Sequence, residues 1–140
     1  MCRHALRRFE CRPETARTGR RFVAQVLVDW GVGPGDPAAS GLDDLVLVAS
    51  ELLTNAVKAC SGPITVEITA HRSSIELVVE DDSPSPAVIR RPDDRGGRGL
   101  HIVEALAARW GQEVRDGGSK RVWCQMPVPL GSVIGEGCTL

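Results

Sequence analysis

Three short segments of the chain carry groups that could take part in nucleotide or phosphate chemistry. In the first, an apolar pattern at helical spacing over residues 40–60 is interrupted by Glu51, Asn55 and Lys58. At intervals of four and three residues these side chains project from one helix face. A carboxylate and an amide oxygen placed in this way could act as a general base and as a magnesium ligand. From the spacing alone, an exposed polar stripe with a Glu–Lys pair is the simpler interpretation.

The second segment is an acidic turn that follows a β-like run and contains Asp81, Asp82 and Ser83. A carboxylate directly after a buried strand can accept a hydrogen bond from the amino group of a nucleobase. Asp, Ser and Pro are also the residues that ordinary turns use. The segment alone therefore favours neither interpretation.

The third segment is a glycine stretch that opens a helical pattern, Gly96-Gly97-Arg98-Gly99-Leu100. Backbone N–H groups at such a helix start are free to bind phosphate oxygens. No Gly-Lys-Ser/Thr follows, which excludes a P-loop, and no strand directly precedes, which excludes a dinucleotide fingerprint. By itself, a Gly-x-Gly pair is usually only a mobile loop.

The remaining sequence pattern predicts the elements that must position these segments. We expect an edge strand near residues 4–10, helices over 13–31, 40–60 and 99–110, a hairpin of strands 64–70 and 75–80, and two short strands between 114 and 126. This order predicts an α+β two-layer sandwich, with an antiparallel or mixed sheet covered on one face by helices. Residues 1–128 would form one domain, and residues 129–140 a loose tail.

Composition excludes several classes of protein. The 140 residues carry a formal net charge of −1, so no overall field favours direct binding of nucleic acid. No apolar run approaches the roughly 20 residues of a membrane span, and no signal peptide is recognisable, so we expect a cytoplasmic location. Five scattered cysteines, without a Cys-x-x-Cys pair, predict reduced thiols rather than disulfides or a zinc site. The three histidines stand alone, so a metal site made of protein ligands alone is not expected.

Taken together and in this order, the three segments resemble the GHKL ATPase superfamily, which contains gyrase-type ATPases, Hsp90 chaperones and histidine-kinase catalytic domains. Within it, the chain is most similar to the small anti-sigma-factor serine kinases of bacterial partner-switching systems, and especially to actinobacterial ones. The matching motifs are a Ser-Glu-Leu-x-Thr-Asn-Ala-Val helix at residues 50–57 and a Gly-Arg-Gly-Leu helix with a terminal Trp-Gly at residues 97–111. The resemblance covers roughly residues 20–126.

The resemblance implies that the cofactors are ATP and Mg²⁺ and assigns roles to individual residues. Glu51 becomes the catalytic base, Asn55 the magnesium ligand, and Asp81 the carboxylate that recognises the adenine amino group. Residues 84–96 become a mobile lid over the nucleotide. The other residues assigned to nucleotide binding lie in the same segments or beside them: Lys58, Ser83, Arg95, Gly97, Arg98, Gly99 and Leu100.

The same resemblance implies a function and its partners. The chain would be an anti-sigma factor that phosphorylates an anti-anti-sigma antagonist and sequesters a sigma factor, with a homodimer as a further possibility. The alternative is a nucleotide-gated binding module that transfers no phosphate. Three positions depart from the family pattern: Ala59 replaces a polar residue, Ser83 replaces the glycine of Asp-x-Gly, and Arg121 stands where a threonine near the adenine is common. From Arg121 we expect looser recognition of the adenine.

Overall fold

The computed structural model describes residues 3–31, 42–71, 74–82, 99–115 and 117–127. Within these residues the strands form a five-stranded sheet in the order β1-β2-β3-β5-β4, and every neighbouring pair is antiparallel. The predicted α+β class is confirmed. The elements in chain order are β1 (His4–Phe9), α1 (Thr15–Asp29), α2 (Leu42–Ala59), β2 (Ile64–Ala70), β3 (Ser74–Asp81), α3 (Gly99–Leu106), β4 (Arg109–Arg115) and β5 (Ser119–Pro127).

The sheet has one apolar face, because buried residues alternate with partly exposed ones along its central strands. In β2, all four core-facing positions are apolar, while Glu67 on the opposite side is partly exposed. This period of two is what a sheet covered on one face requires. Helix α2 packs between α1 and α3 and also contacts β3, so the helices and the sheet share one hydrophobic core.

Helices α1 and α2 approach each other closely at a glycine. A Cβ atom added at Gly19 would lie 2.7 Å from Cδ1 of Leu53, which is buried in α2. The predicted end of α1 is also confirmed, because Gly31 follows the helix with φ of 91°, a conformation that glycine adopts readily. The side of α2 that carries Leu53 is therefore the side that faces α1.

The third helix is shorter than the sequence predicts. It ends at Leu106, and β4 begins at Arg109, so Trp110 and Gly111 belong to a strand rather than to a helix end. The reason is a contact across strands: a Cβ atom at Gly111 would lie 2.7 Å from Cζ2 of Trp123 in β5. Pairing with the nine-residue β5 therefore overrides the helical pattern of this segment, and the hairpin of β4 and β5 starts earlier than predicted.

The prediction of reduced thiols is wrong for two of the cysteines. Cys11 and Cys60 form a disulfide, with their Cα atoms 6.0 Å apart and 49 positions apart in the chain. The pairing of β1 with β2 sets Phe9 opposite Ile64, which brings together the two cysteines just outside these strand ends. Cys124 remains a free thiol in the core, and burial raises its pKa to about 12.

Several expectations lie outside the described residues. They include the loose tail at 129–140, the limits of the single domain at 1–128, and the lid at 84–96. Among the described residues, no helix combines the length and the apolar character that a bilayer span requires.

Candidate functional site

Helix α2 presents Glu51 and Asn55 on the flank that faces away from α1. A residue advances by about 100° around an α-helix, so both side chains lie nearly opposite Leu53, which packs on α1. Both are partly buried, whereas Lys58 in the last turn is exposed. Helix α3 also packs against α2.

Asp81 ends strand β3 with its side chain in the apolar face of the sheet. It follows the buried core-facing residues Leu77 and Val79 at a period of two, and it is itself buried. It forms an ion pair with Lys120, whose Nζ atom lies 3.4 Å from Asp81 Oδ2. The site therefore contains a buried carboxylate on the helix-covered face of the sheet.

Lys120 is the residue of this site that the sequence analysis did not single out. It stands at the first core-facing position of β5, and the register of the sheet sets it directly opposite Asp81. The sequence does mark this residue as unusual, because a lysine begins the alternating row of β5 that is otherwise apolar.

Arg121 does not face the site, which corrects the expectation that it stands beside the adenine. Its side chain lies on the other face of the sheet, where its Nη2 atom is 3.9 Å from Glu67 Oε1. A strand alternates its side chains, so Lys120 and not Arg121 shares a face with Asp81. The predicted loosening of adenine recognition by Arg121 therefore has no geometric basis.

Asp82 fastens the end of β3 to the turn that follows α2. The Ser61 backbone N–H donates to Asp82 Oδ1 at 2.8 Å, and the Ser61 hydroxyl donates to Oδ2 at 2.7 Å. These bonds, the backbone one above all, hold the pKa of the Asp82 carboxyl below its ordinary value of 3.8. The segment that carries Asp81 is thereby tied to the C-terminal end of the helix that carries Asn55.

We expect the Asp82 contribution to stability to depend on pH. Because its folded pKa lies below the unfolded value of 3.8, the contribution is present at higher pH and disappears as the pH falls through the folded pKa. An Asp82→Ala variant should therefore unfold at lower denaturant than the wild type at pH 7, and the difference should shrink in acid. Urea titrations of both proteins between pH 7 and pH 2.5 measure this, and a difference independent of pH would contradict it.

The glycine stretch is only partly within the described residues. Gly99 begins α3, as predicted, and Leu100 in the first turn is buried, so its side chain supports the core. Ser83, Arg95, Gly97 and Arg98 lie outside the described residues. Gly99 thus belongs to a helix that packs against α2, the helix that carries Glu51 and Asn55.

The donor set of the site suits a magnesium ion that is held largely by phosphates. Among the described residues, no group of three or more His, Cys, Asp or Glu side chains could hold a metal ion by itself. The partly buried amide of Asn55 supplies a hard oxygen atom on the flank of α2 that faces away from α1. Magnesium commonly takes one or two protein oxygens and completes its shell with water and nucleotide phosphates, so the residues fit Mg²⁺ bound together with ATP.

Comparison with known proteins identifies the family. The sequence profile of the histidine kinase-like ATPase domain matches residues 9–126. The chain belongs to this ATPase family. The resemblance inferred from the three segments is therefore confirmed at the level of the family, and binding of ATP is what a domain of this family implies.

A solved structure supports the same fold. The crystal structure of the RsbU and RsbW domains of Rv1364c from Mycobacterium tuberculosis superposes with a TM-score of 0.60 at 18% sequence identity. The alignment covers 91% of this chain and 34% of that one, so this ATPase-family chain spans about a third of the length of the other protein. No curated protein matches the sequence. At this identity the likeness establishes the architecture of the chain.

Proposed function

We propose that this chain is an ATP-binding anti-sigma factor that phosphorylates a serine or threonine of an anti-anti-sigma antagonist in a bacterial partner-switching system. The observation that carries the proposal is the joint arrangement of two motifs inside the ATPase domain. Glu51 and Asn55 share the flank of α2 that faces away from α1, and Asp81 lies buried at the end of β3. The motif resemblance and the fold shared with the chain that contains an RsbW domain support it.

Each described residue has a chemical role in this proposal. Asp81 accepts a hydrogen bond from the adenine amino group, and the Asn55 side-chain oxygen would hold magnesium against the phosphates. The metal ion would supply positive charge to the phosphate oxygens. Glu51 accepts the proton of the incoming serine or threonine hydroxyl, because a carboxylate within reach of the hydroxyl can act as general base.

The remaining assigned residues complete the phosphate site in the proposal. The backbone at Gly97 and Gly99 would approach the phosphates at the start of α3, where helix N–H groups favour anions. Leu100 would support this helix start from the core, since it is buried. Charged or polar side chains would border the nucleotide: Lys58, Ser83, Arg95 and Arg98.

The proposed biology follows from these roles. In the cytoplasm the protein would sequester a sigma factor, and phosphorylation of the antagonist would keep that complex intact. It would act as a single ATP-binding domain over residues 1–128, with residues 129–140 as a tail, and it would contact neither nucleic acid nor a membrane directly. A homodimer is compatible with this scheme.

The first test is ATP binding with and without magnesium. We expect Asn55→Ala to lose the magnesium-dependent part of the affinity, by about tenfold or more, because the amide oxygen that holds the ion is gone. Asp44→Ala is the matched control, since Asp44 is an exposed polar residue in the first turn of the same helix. Calorimetric titration of the three folded proteins measures the ATP affinity with and without magnesium. If folded wild-type protein bound no ATP, or if Asn55→Ala bound it unchanged, the proposed site would be wrong.

A further inference from the structure

A lysine lies in the apolar face of the sheet, opposite the carboxylate proposed to recognise the base. Lys120 is followed on the same face of β5 by Val122 and Cys124, which are both buried. Its Nζ atom lies 3.4 Å from Asp81 Oδ2, and the two side chains are only 2% and 1% exposed. Both charged groups are therefore removed from bulk water and face each other across neighbouring strands.

The pair is a poor device for stability alone. Removing two charges from water commonly costs as much as their attraction returns, so a buried ion pair adds little compared with two apolar side chains of similar size. It does, however, restrict where a carboxylate can lie, because a displaced carboxylate would lose its counter-charge in a low-dielectric environment. A fixed acceptor is what recognition of a nucleobase edge requires.

We propose that Lys120 is a positioning residue for base recognition, which holds the Asp81 carboxylate where it accepts a hydrogen bond from the amino group of a 6-aminopurine. The inference rests on the proposed ATP-binding function and adds the residue that makes Asp81 selective for adenine. A carboxylate only accepts hydrogen bonds. Adenine presents an amino donor at position 6, whereas hypoxanthine presents an oxygen acceptor there and is disfavoured by the fixed carboxylate.

A positioning role and a purely structural role of Lys120 predict different effects on nucleotide affinity. If Lys120 only stabilised the sheet, its replacement would weaken binding of ATP and inosine triphosphate to the same extent. If it positions Asp81, its replacement changes the ratio of the two affinities. The ratio of dissociation constants, measured on folded full-length protein, is therefore the decisive quantity.

We expect the wild type to prefer ATP over inosine triphosphate by about tenfold or more, the typical value of one charged hydrogen bond. Asp81→Asn and Lys120→Gln should both reduce this preference to within about threefold. Lys120→Arg, which retains the positive charge, should restore most of it. Val122→Ala is the matched control, because it truncates the next buried side chain on the same face of β5 and should leave the ratio unchanged.

The outcomes separate this inference from the function on which it rests. If the folded wild type bound neither nucleotide, the proposed function would fail and the inference with it. If Asp81→Asn lost the preference for ATP but Lys120→Gln kept it, the ATP site would stand and the role of Lys120 would be overturned. Equal loss of affinity for both nucleotides in Lys120→Gln would likewise leave only a structural role.

A second measurement covers the case in which Lys120→Gln does not fold, since this substitution removes a positive charge from beside a buried carboxylate. The chain has only two lysines, Lys58 and Lys120, so their side-chain nitrogen resonances are readily distinguished in protein labelled with ¹⁵N-lysine. Saturation with ATP should shift the Lys120 resonance, and inosine triphosphate should shift it less. A Lys120 resonance that ATP leaves unmoved would overturn the inference.

Discussion

Replacement of both Cys11 and Cys60 by serine should lower the free energy of unfolding by about 4 kcal/mol. The disulfide joins positions 49 residues apart, and the entropy that a cross-link removes from the unfolded chain grows with the length of the closed loop. The bond connects the segment between β1 and α1 to the end of α2. A loss of this size is a large part of the stability of a small domain.

Denaturant unfolding under oxidising and reducing conditions tests this prediction. A background with Cys2→Ser and Cys138→Ser restricts exchange to the pair of interest, and Cys124 is buried with a raised pKa, so it does not compete. The variant Cys11→Ser/Cys60→Ser should match the reduced parent and should not respond to reductant. Identical unfolding of the oxidised and reduced parent would show that the cross-link does not stabilise the fold.

The disulfide also bears on where the protein functions. Disulfides are rare in the reducing cytoplasm, so the bond between Cys11 and Cys60 is in tension with the cytoplasmic location expected from the sequence. Cys60 directly precedes Ser61, which binds Asp82 at the end of β3. The disulfide and the Ser61–Asp82 hydrogen bonds thus both lie at the C-terminal end of α2.

The elements that the sequence predicts well are those whose pattern is local. Helix α2 shows its apolar periodicity over five turns, and the hairpin of β2 and β3 has alternating residues on both sides of a short polar turn. The shared flank of Glu51 and Asn55 is predictable for the same reason, since residues four apart lie on one side of a helix. Local periodicity is sufficient for the fold class and for the shared flank of Glu51 and Asn55, whereas their proposed part in nucleotide chemistry rests on the resemblance of the motifs.

The features that the sequence does not predict depend on contacts between distant segments. The sequence pattern predicts a helix at Trp110, but in the structure this residue lies in β4. There β4 pairs with β5, and Trp123 packs against Gly111. The disulfide and the ion pair of Lys120 with Asp81 also depend on contacts between distant segments, because the members of each pair lie in different segments of the chain. No spacing rule along the chain signals such neighbours, because strand register alone brings them together.

The largest functional effect is expected for Glu51→Gln. If Glu51 is the general base, its amide replacement should lower phosphate transfer to the antagonist by roughly 10²–10⁴-fold, the usual contribution of such a group. ATP affinity should stay within about a few-fold, because the substitution keeps the shape of the side chain and leaves Asp81 and Asn55 unchanged. Single-turnover transfer of labelled phosphate measures the rate of the chemical step, and an ATP titration of the same protein measures the affinity.

Glu104→Gln supplies the matched control, since Glu104 is an exposed carboxylate on α3. It should transfer phosphate at the wild-type rate. Loss of transfer and of ATP affinity together in Glu51→Gln would give Glu51 a structural role and contradict the mechanism. If the wild type itself bound ATP and the antagonist without transferring phosphate, the nucleotide-gated binding module would be the correct function. In that case nucleotide binding would act through the conformation of the domain, with no chemistry at Glu51.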